Sequence, residues 1–231
     1  MEFDVLSAGA ARALVLALAP ALRATTGAAL RGEFGAVGAI VDKFLAGAPC
    51  DALILTAARL DTLAQEGRVL PDTVAALGCV RTGIAVRAGD ARPLIAEREG
   101  LRRNLSAATE IYLPDPEQST AGAHFRKVLR ELSIYDAVAS RLRVFANGAT
   151  AMRELGQSLE RGAIGCTQIS EICNEPGVTL VGPLPAGFEL ATVYCVAVAA
   201  AARQPAIARR FVQMLTGPEA QELRRSGGFE F

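Results

Sequence analysis

Asp51-Ala52-Leu53-Ile54-Leu55-Thr56 is a short apolar run of the kind buried on both faces of a parallel sheet, and it stops at a hydroxyl. Ala58 to Glu66 then reads as a helix closed by Gly67. The same order precedes it twice. Phe3 to Leu6 is strand-like, and Ala10 to Thr25 carries Leu14, Leu18 and Leu22 at helical spacing before Thr26-Gly27. Ala29 to Phe34 is the next strand, and Val37 to Ala46 the next helix, with Ile40, Val41, Phe44 and Leu45 on one face. Three βα units in succession indicate a doubly wound α/β sheet.

The junctions of these units share a chemistry. Val5-Leu6-Ser7-Ala8-Gly9-Ala10, Phe34-Gly35-Ala36-Val37-Gly38, Leu55-Thr56, Leu113-Pro114-Asp115 and Gly165-Cys166-Thr167-Gln168 each end an apolar run on small or polar residues and enter a helical pattern. The first N–H groups of a helix have no partner within it and carry the positive end of its dipole. In open α/β sheets ligands sit outside the carboxyl ends of the strands. A chain with several such starts reads as one that binds a small anion.

Alternation through Gly83 to Arg87, followed by the polar stretch Gly89-Asp90-Ala91-Arg92-Pro93, marks a crossing into a second lobe. The Arg- and Glu-rich segment Glu97 to Asn104 is a solvated helix face. The βα order then resumes. Strand Glu110 to Leu113, loop Pro114 to Thr120, helix Ala121 to Leu132, strand Arg143 to Phe145, helix Ala149 to Arg161 and strand Ala163 to Cys166 follow one another. Strands Val178 to Val181 and Leu190 to Ala200 and helices Pro205 to Leu215 and Pro218 to Arg225 complete the chain. The expected organisation is residues 1–81 in a first lobe, 82–190 in a second, and 191–231 returning to the first.

Composition removes several classes. With 24 Lys plus Arg against 24 Asp plus Glu, three Tyr and no Trp, the chain has neither the basic field nor the stacking surface of a nucleic-acid binder. The apolar stretches Ala13–Leu22 and Ala191–Ala202 fall short of the roughly 20 residues that span a bilayer, so no membrane insertion is expected. Five cysteines without a Cys-x-x-Cys, and His124 as the single histidine, suggest buried thiols and no metal or other cofactor. Met1-Glu2-Phe3-Asp4 is not a secretory signal. The protein is therefore cytoplasmic if Met1 is native, or periplasmic if Met1 replaced a signal.

Taken with the closing Leu215-Thr216-Gly217-Pro218-Glu219-Ala220, the landmarks Val5–Ala10, Phe34–Ala39, Pro49–Thr56 and Asp115–Gly122 make the chain resemble a type II periplasmic solute-binding protein of the molybdate-binding group. The resemblance implies the two-lobed periplasmic-binding-protein type II fold, each lobe a doubly wound, mostly parallel sheet flanked by helices. It implies a monomer that holds its ligand in the cleft between lobes and hands it to an ABC transporter permease. Ser7 matches the first ligand-binding serine of that group, and Ala121 the second-lobe position whose backbone amide faces the anion. Ala36 stands where molybdate binders supply a second serine, Met152 where a smaller residue donates its amide, and Gln168 where a tyrosine follows the fifth strand.

The ligand-binding candidates are therefore Ser7, Ala8, Gly35, Ala36, Thr56, Ser119, Thr120, Ala121 and Gln168. Ser7, Ser119 and Thr120 equally suit simple helix capping. Each unmade hydrogen bond to a charged group removes roughly 1.5–3 kcal/mol, so this altered donor set suits an organic di- or tricarboxylate as well as an oxoanion such as molybdate. The alternative is an isomerase of a small polycarboxylate, resembling an aconitate isomerase on the same fold. It would need a base beside the ligand, for which His124 is the first candidate and Glu171 and Tyr194 weaker ones. Arg12 and Arg81 are possible cationic partners of a carboxylate.

Overall fold

The computed structural model describes all residues, 1–231, which form two compact units: Met1–Val80 with Thr192–Phe231, and Arg81–Ala191. The first unit opens with β1 (Glu2–Ala8), α1 (Arg12–Thr26), β2 (Ala29–Gly35), α2 (Val37–Leu45), β3 (Ala52–Thr56) and α3 (Ala57–Gln65). Strand β4 (Ala75–Arg87) carries the chain from the first unit into the second. There follow α4 (Arg98–Ala107), β5 (Ile111–Pro114), α5 (Thr120–Glu131), α6 (Tyr135–Val138), β6 (Leu142–Phe145), α7 (Gly148–Gln157), β7 (Ile164–Gln168), α8 (Ile169–Cys173) and β8 (Val178–Pro183). Strand β9 (Ala191–Val198) re-enters the first unit, which α9 (Pro205–Thr216) and α10 (Gln221–Ser226) complete.

In the first unit the strands lie in the order β2-β1-β3-β9, with the start of β4 beyond β9. β1 runs parallel to β2 and β3, whereas β9 is antiparallel to β3. Leu53, Ile54 and Leu55 have no exposed surface, as their unbroken apolar run requires of a strand covered on both faces. The buried Asp51 ties the layers together: its carboxylate accepts from the Asp4 amide at 2.9 Å and from the Gln204 amide, at the start of α9, at 2.8 Å. The C-terminus closes the same unit. Cys79 and Glu230 exchange two backbone hydrogen bonds of 2.8 Å, and the buried Arg224 donates to the carbonyls of Leu77, Thr216 and Gly217.

In the second unit the order is β8-β4-β7-β5-β6, with β5, β6 and β7 mutually parallel and β4 antiparallel to both β7 and β8. One core face gathers Ile84, Val86, Leu113, Phe125, Val128, Leu129 and Cys166 beneath α4 and α5. The other packs Tyr112, Met152 and Leu155 with Ile172 beneath α7 and α8. The segment Glu97–Asn104 is not merely a solvated face, because Leu101 and Leu105 of its helix are buried in the first of these cores.

Several expected boundaries move for local reasons. The helix anticipated over Ala149–Arg161 begins one residue earlier, at Gly148, because Asn147 Oδ1 accepts the Thr150 amide at 2.9 Å as an N-cap. It ends at Gln157, where Ser158 turns to an extended backbone. The short helices α6 and α8 carry too few residues for a periodic signal.

Candidate functional site

Parallel pairing places the junctions of the first unit on one edge of its sheet. The register aligns Ser7 with Phe34 and with Ile54, and Ala8 with Gly35, so the ends of β1, β2 and β3 lie side by side. The helical segments that follow start there: the 3-10 turn Gly9–Ala11 that leads into α1, then α2 behind Ala36, and α3 behind Thr56. None has an acidic residue in its first turn or a side-chain cap. Neither an acid nor a cap within these turns offsets their amides and dipoles. Thr56 has an extended backbone and a partly exposed side chain that makes no cap bond.

Ser7 is fully buried, and its hydroxyl donates to the Ala8 carbonyl at 2.9 Å; it does not cap the turn behind it. Ala36 is buried and Gly35 partly so. Arg12 is the first residue of α1, exposed, with its guanidinium 5.9 Å from the centre of the Phe34 ring. Tyr194 lies opposite Thr56 in the β3–β9 register and is buried, its ring edge-on to Phe229 at 6.4 Å.

The second unit repeats the arrangement with different polar groups. Pro114 pairs with Phe145, and the β5–β7 register continues toward Thr167, so the starts of α5, α7 and α8 share one edge. Ser119 caps α5, its Oγ accepting the Gly122 amide at 3.3 Å. Thr120 belongs to the helix as its first residue, and Ala121 is buried as its second. Gln168 is the last residue of β7, buried, and occupies the cap position of α8. Arg81 is the first residue of this unit and is partly buried.

Met152 does not supply an amide at a helix start. It is the fifth residue of α7, fully buried, because the Asn147 cap sets the first turn at Gly148, Ala149 and Thr150. His124 is the fifth residue of α5, one turn beyond its start, and its Nε2 lies 2.8 Å from the Phe188 carbonyl. That contact engages one ring nitrogen with the loop before β9.

Sequence reasoning named Glu171 only as a weaker candidate base and missed its place beside Gly148. Glu171, the third residue of α8, accepts a hydrogen bond of 2.6 Å from the Thr167 hydroxyl and others from the amides of Ala149 and Gln168. Burial pushes its carboxyl above the usual carboxylate range, and those three hydrogen bonds pull the other way. The readable signal was Asn147-Gly148 behind an apolar strand, with a cap spacing to Thr150; the approach of Glu171 from another helix leaves no periodic trace.

Two concavities stand elsewhere. One of about 440 Å³, lined by Asp90, Arg92, Arg161 and Gly162, lies at the amino end of β7, and one of about 610 Å³, lined by Pro49, Cys50, Arg68 and Arg203, at the amino end of β3. Cys50 lines the latter with its thiol pushed by burial up to about 12, so it is protonated at neutral pH. No group of His, Cys, Asp and Glu is arranged to hold a metal ion. No helix is long and apolar enough to cross a membrane.

Residues 3–230 match the bacterial extracellular solute-binding protein family. The chain belongs to that family. The periplasmic molybdate-binding protein of Azotobacter vinelandii has a similar fold, with a TM-score of 0.81 at 18% identity over 99% of each chain. The sulfate-binding protein of Mycobacterium tuberculosis follows at 0.74 and 17%, covering 99% of this chain and 86% of that one. In sequence, this solute-binding protein is 25% identical over 234 residues to an aconitate isomerase from a Pseudomonas species, across 98% of this chain and 86% of that protein.

Proposed function

We propose that the protein captures a small anion carrying several oxygens, an oxoanion or an organic di- or tricarboxylate, outside the cytoplasm, and delivers it to an ABC transporter. The observation that carries this reading is the set of helix starts. In each unit, helices begin at the carboxyl edge of parallel strands without an acid in their own first turn: the turn before α1, α2 and α3 in one, α5 and α7 in the other. On that edge only α8 carries an acid in its first turn, Glu171, whereas α4, α6 and α10, which do not open there, carry Glu99, Asp136 and Glu222, and α9 carries none. An anion supplies the missing negative charge and accepts the orphan amides.

The donor set favours carboxylates over tetrahedral oxoanions. Ala36 offers no hydroxyl at the start of α2, while Thr56, Thr120 and Gln168 bring polar groups from three separate junctions. Within the second unit, Thr120 and Gln168 at two separate junctions suit a ligand with more than one charged end. The molybdate- and sulfate-binding proteins of similar fold, and the family itself, support transport of a small anion.

Replacing one hydroxyl from each unit tests the reading. Thr56→Val and Thr120→Val are each expected to weaken binding of the preferred anion about tenfold or more, with little change in melting temperature, as read by isothermal titration calorimetry. Affinities unchanged in both variants would remove these junctions from the binding surface.

A second reading, isomerisation of a small polycarboxylate, is favoured by the alignment with aconitate isomerase over nearly the whole chain. It requires a base that removes a proton next to a carboxylate and returns it at another carbon. Proton NMR of the purified protein with cis- and trans-aconitate decides it, since interconversion above the uncatalysed rate supports the enzyme and its absence leaves binding alone.

A further inference from the structure

Among the helices that open on the carboxyl edges, α7 is distinctive: it has no acid of its own in its first turn, yet a carboxylate reaches its start from another helix. A Cβ built on Gly148 would lie 2.0 Å from both Glu171 Oε2 and Thr167 Oγ1. Glu171 Oε2 is therefore within about 3.5 Å of the Gly148 Cα, one carbon–carbon bond further at most. Glycine is required at this position for the carboxylate to stand there at all. The neighbouring amides are already claimed, Thr150 by Asn147 and Ala149 by Glu171, so the amide that remains for a ligand is that of Gly148, directly beside the charge.

An ionised carboxylate offers about four acceptor positions. Glu171 uses three, on the Thr167 hydroxyl and the amides of Ala149 and Gln168. Glu171 is partly exposed, and its fourth position is the one an incoming group would take. A ligand oxygen without a proton meets like-charge repulsion in this place, whereas an O–H makes a charge-assisted hydrogen bond.

We propose that Glu171 is the specificity-determining residue at the start of α7, selecting ligands that present a hydroxyl or a protonated acid oxygen and rejecting oxoanions that lack a hydrogen, such as sulfate and molybdate. The inference rests on the anion-binding reading and narrows it to hydroxy acids and hydrogen-bearing acids. It works by disfavouring the wrong ligand as much as by attracting the right one.

Calorimetric titration of the wild type, Glu171→Gln and Glu171→Asp at one pH tests it, with two probe pairs differing only by a hydroxyl, malate against succinate and citrate against tricarballylate, together with sulfate and molybdate. The wild type is expected to prefer the hydroxylated member of whichever pair it binds. Glu171→Gln is expected to bind sulfate or molybdate roughly tenfold tighter than the wild type or more and to lose the hydroxyl preference, while Glu171→Asp follows the wild type. Equal oxoanion binding by wild type and Glu171→Gln overturns the proposal and leaves the anion reading intact. Should Glu171→Gln not fold, a wild type indifferent to the hydroxyl overturns it equally. If the wild type and both variants bind none of the six anions, the anion reading itself fails, and this inference with it.

Discussion

Phe211→Ala is expected to destabilise the first unit by about 3–5 kcal/mol, read as a lower urea midpoint in an unfolding titration followed by circular dichroism. Phe211 has no exposed surface, and its ring meets that of Phe3 edge-on, 5.3 Å between centres and 73° between planes. Phe3 belongs to β1 at the beginning of the chain and Phe211 to α9 near its end. Truncation leaves a cavity and removes an aromatic pair that joins the beginning of the chain to its C-terminal segment. A loss below about 1 kcal/mol would mean that the returning segment is a loosely attached cover and not part of that core.

Gly122→Ala is expected to cost roughly 3 kcal/mol or more and to weaken anion binding in the fraction that stays folded. A Cβ on Gly122 would lie 2.2 Å from the Pro114 carbonyl oxygen and 3.0 Å from the Asp115 carbonyl. Both obstacles are backbone at the end of β5, so no side-chain rotation relieves them. The start of α5 must move away from the strand and carry Ser119, Thr120 and Ala121 with it. Thermal unfolding and calorimetry on the same sample read both effects; an unchanged melting temperature together with unchanged affinity would show that α5 does not sit where this account requires.

Strands buried on both faces were the most legible part of the fold. Ala52–Thr56 is recognisable because a continuous apolar run has few other uses in a chain this length. The first half of β4 was not legible. Gly78 there has a φ of 132°, a Cβ on it would lie 2.8 Å from the Glu230 carbonyl oxygen, and Cys79 pairs with Glu230, far along the sequence. Nothing local announces such a contact. The same reason separates Thr56, which stands at a strand end that can be counted along the sequence, from Glu171, which matters through a residue 23 positions away on a different helix. Met152 shows the limit of matching positions to a family pattern without the local cap. The resemblance put Met152 at the amide position, but the Asn147 cap gives the first-turn amides to Gly148, Ala149 and Thr150.

The central claim is that the uncompensated helix starts bind a small anion. It is tested most directly by a thermal-shift titration of the wild-type protein with molybdate, sulfate, phosphate, malate, citrate and the two aconitates at matched ionic strength. A ligand held at 100 times its dissociation constant adds about 2.7 kcal/mol to stability. The account predicts a saturable rise in melting temperature with at least one of these anions, largest for a hydroxylated carboxylate. A melting temperature that stays flat with all of them, or rises only in proportion to ionic strength, would contradict it.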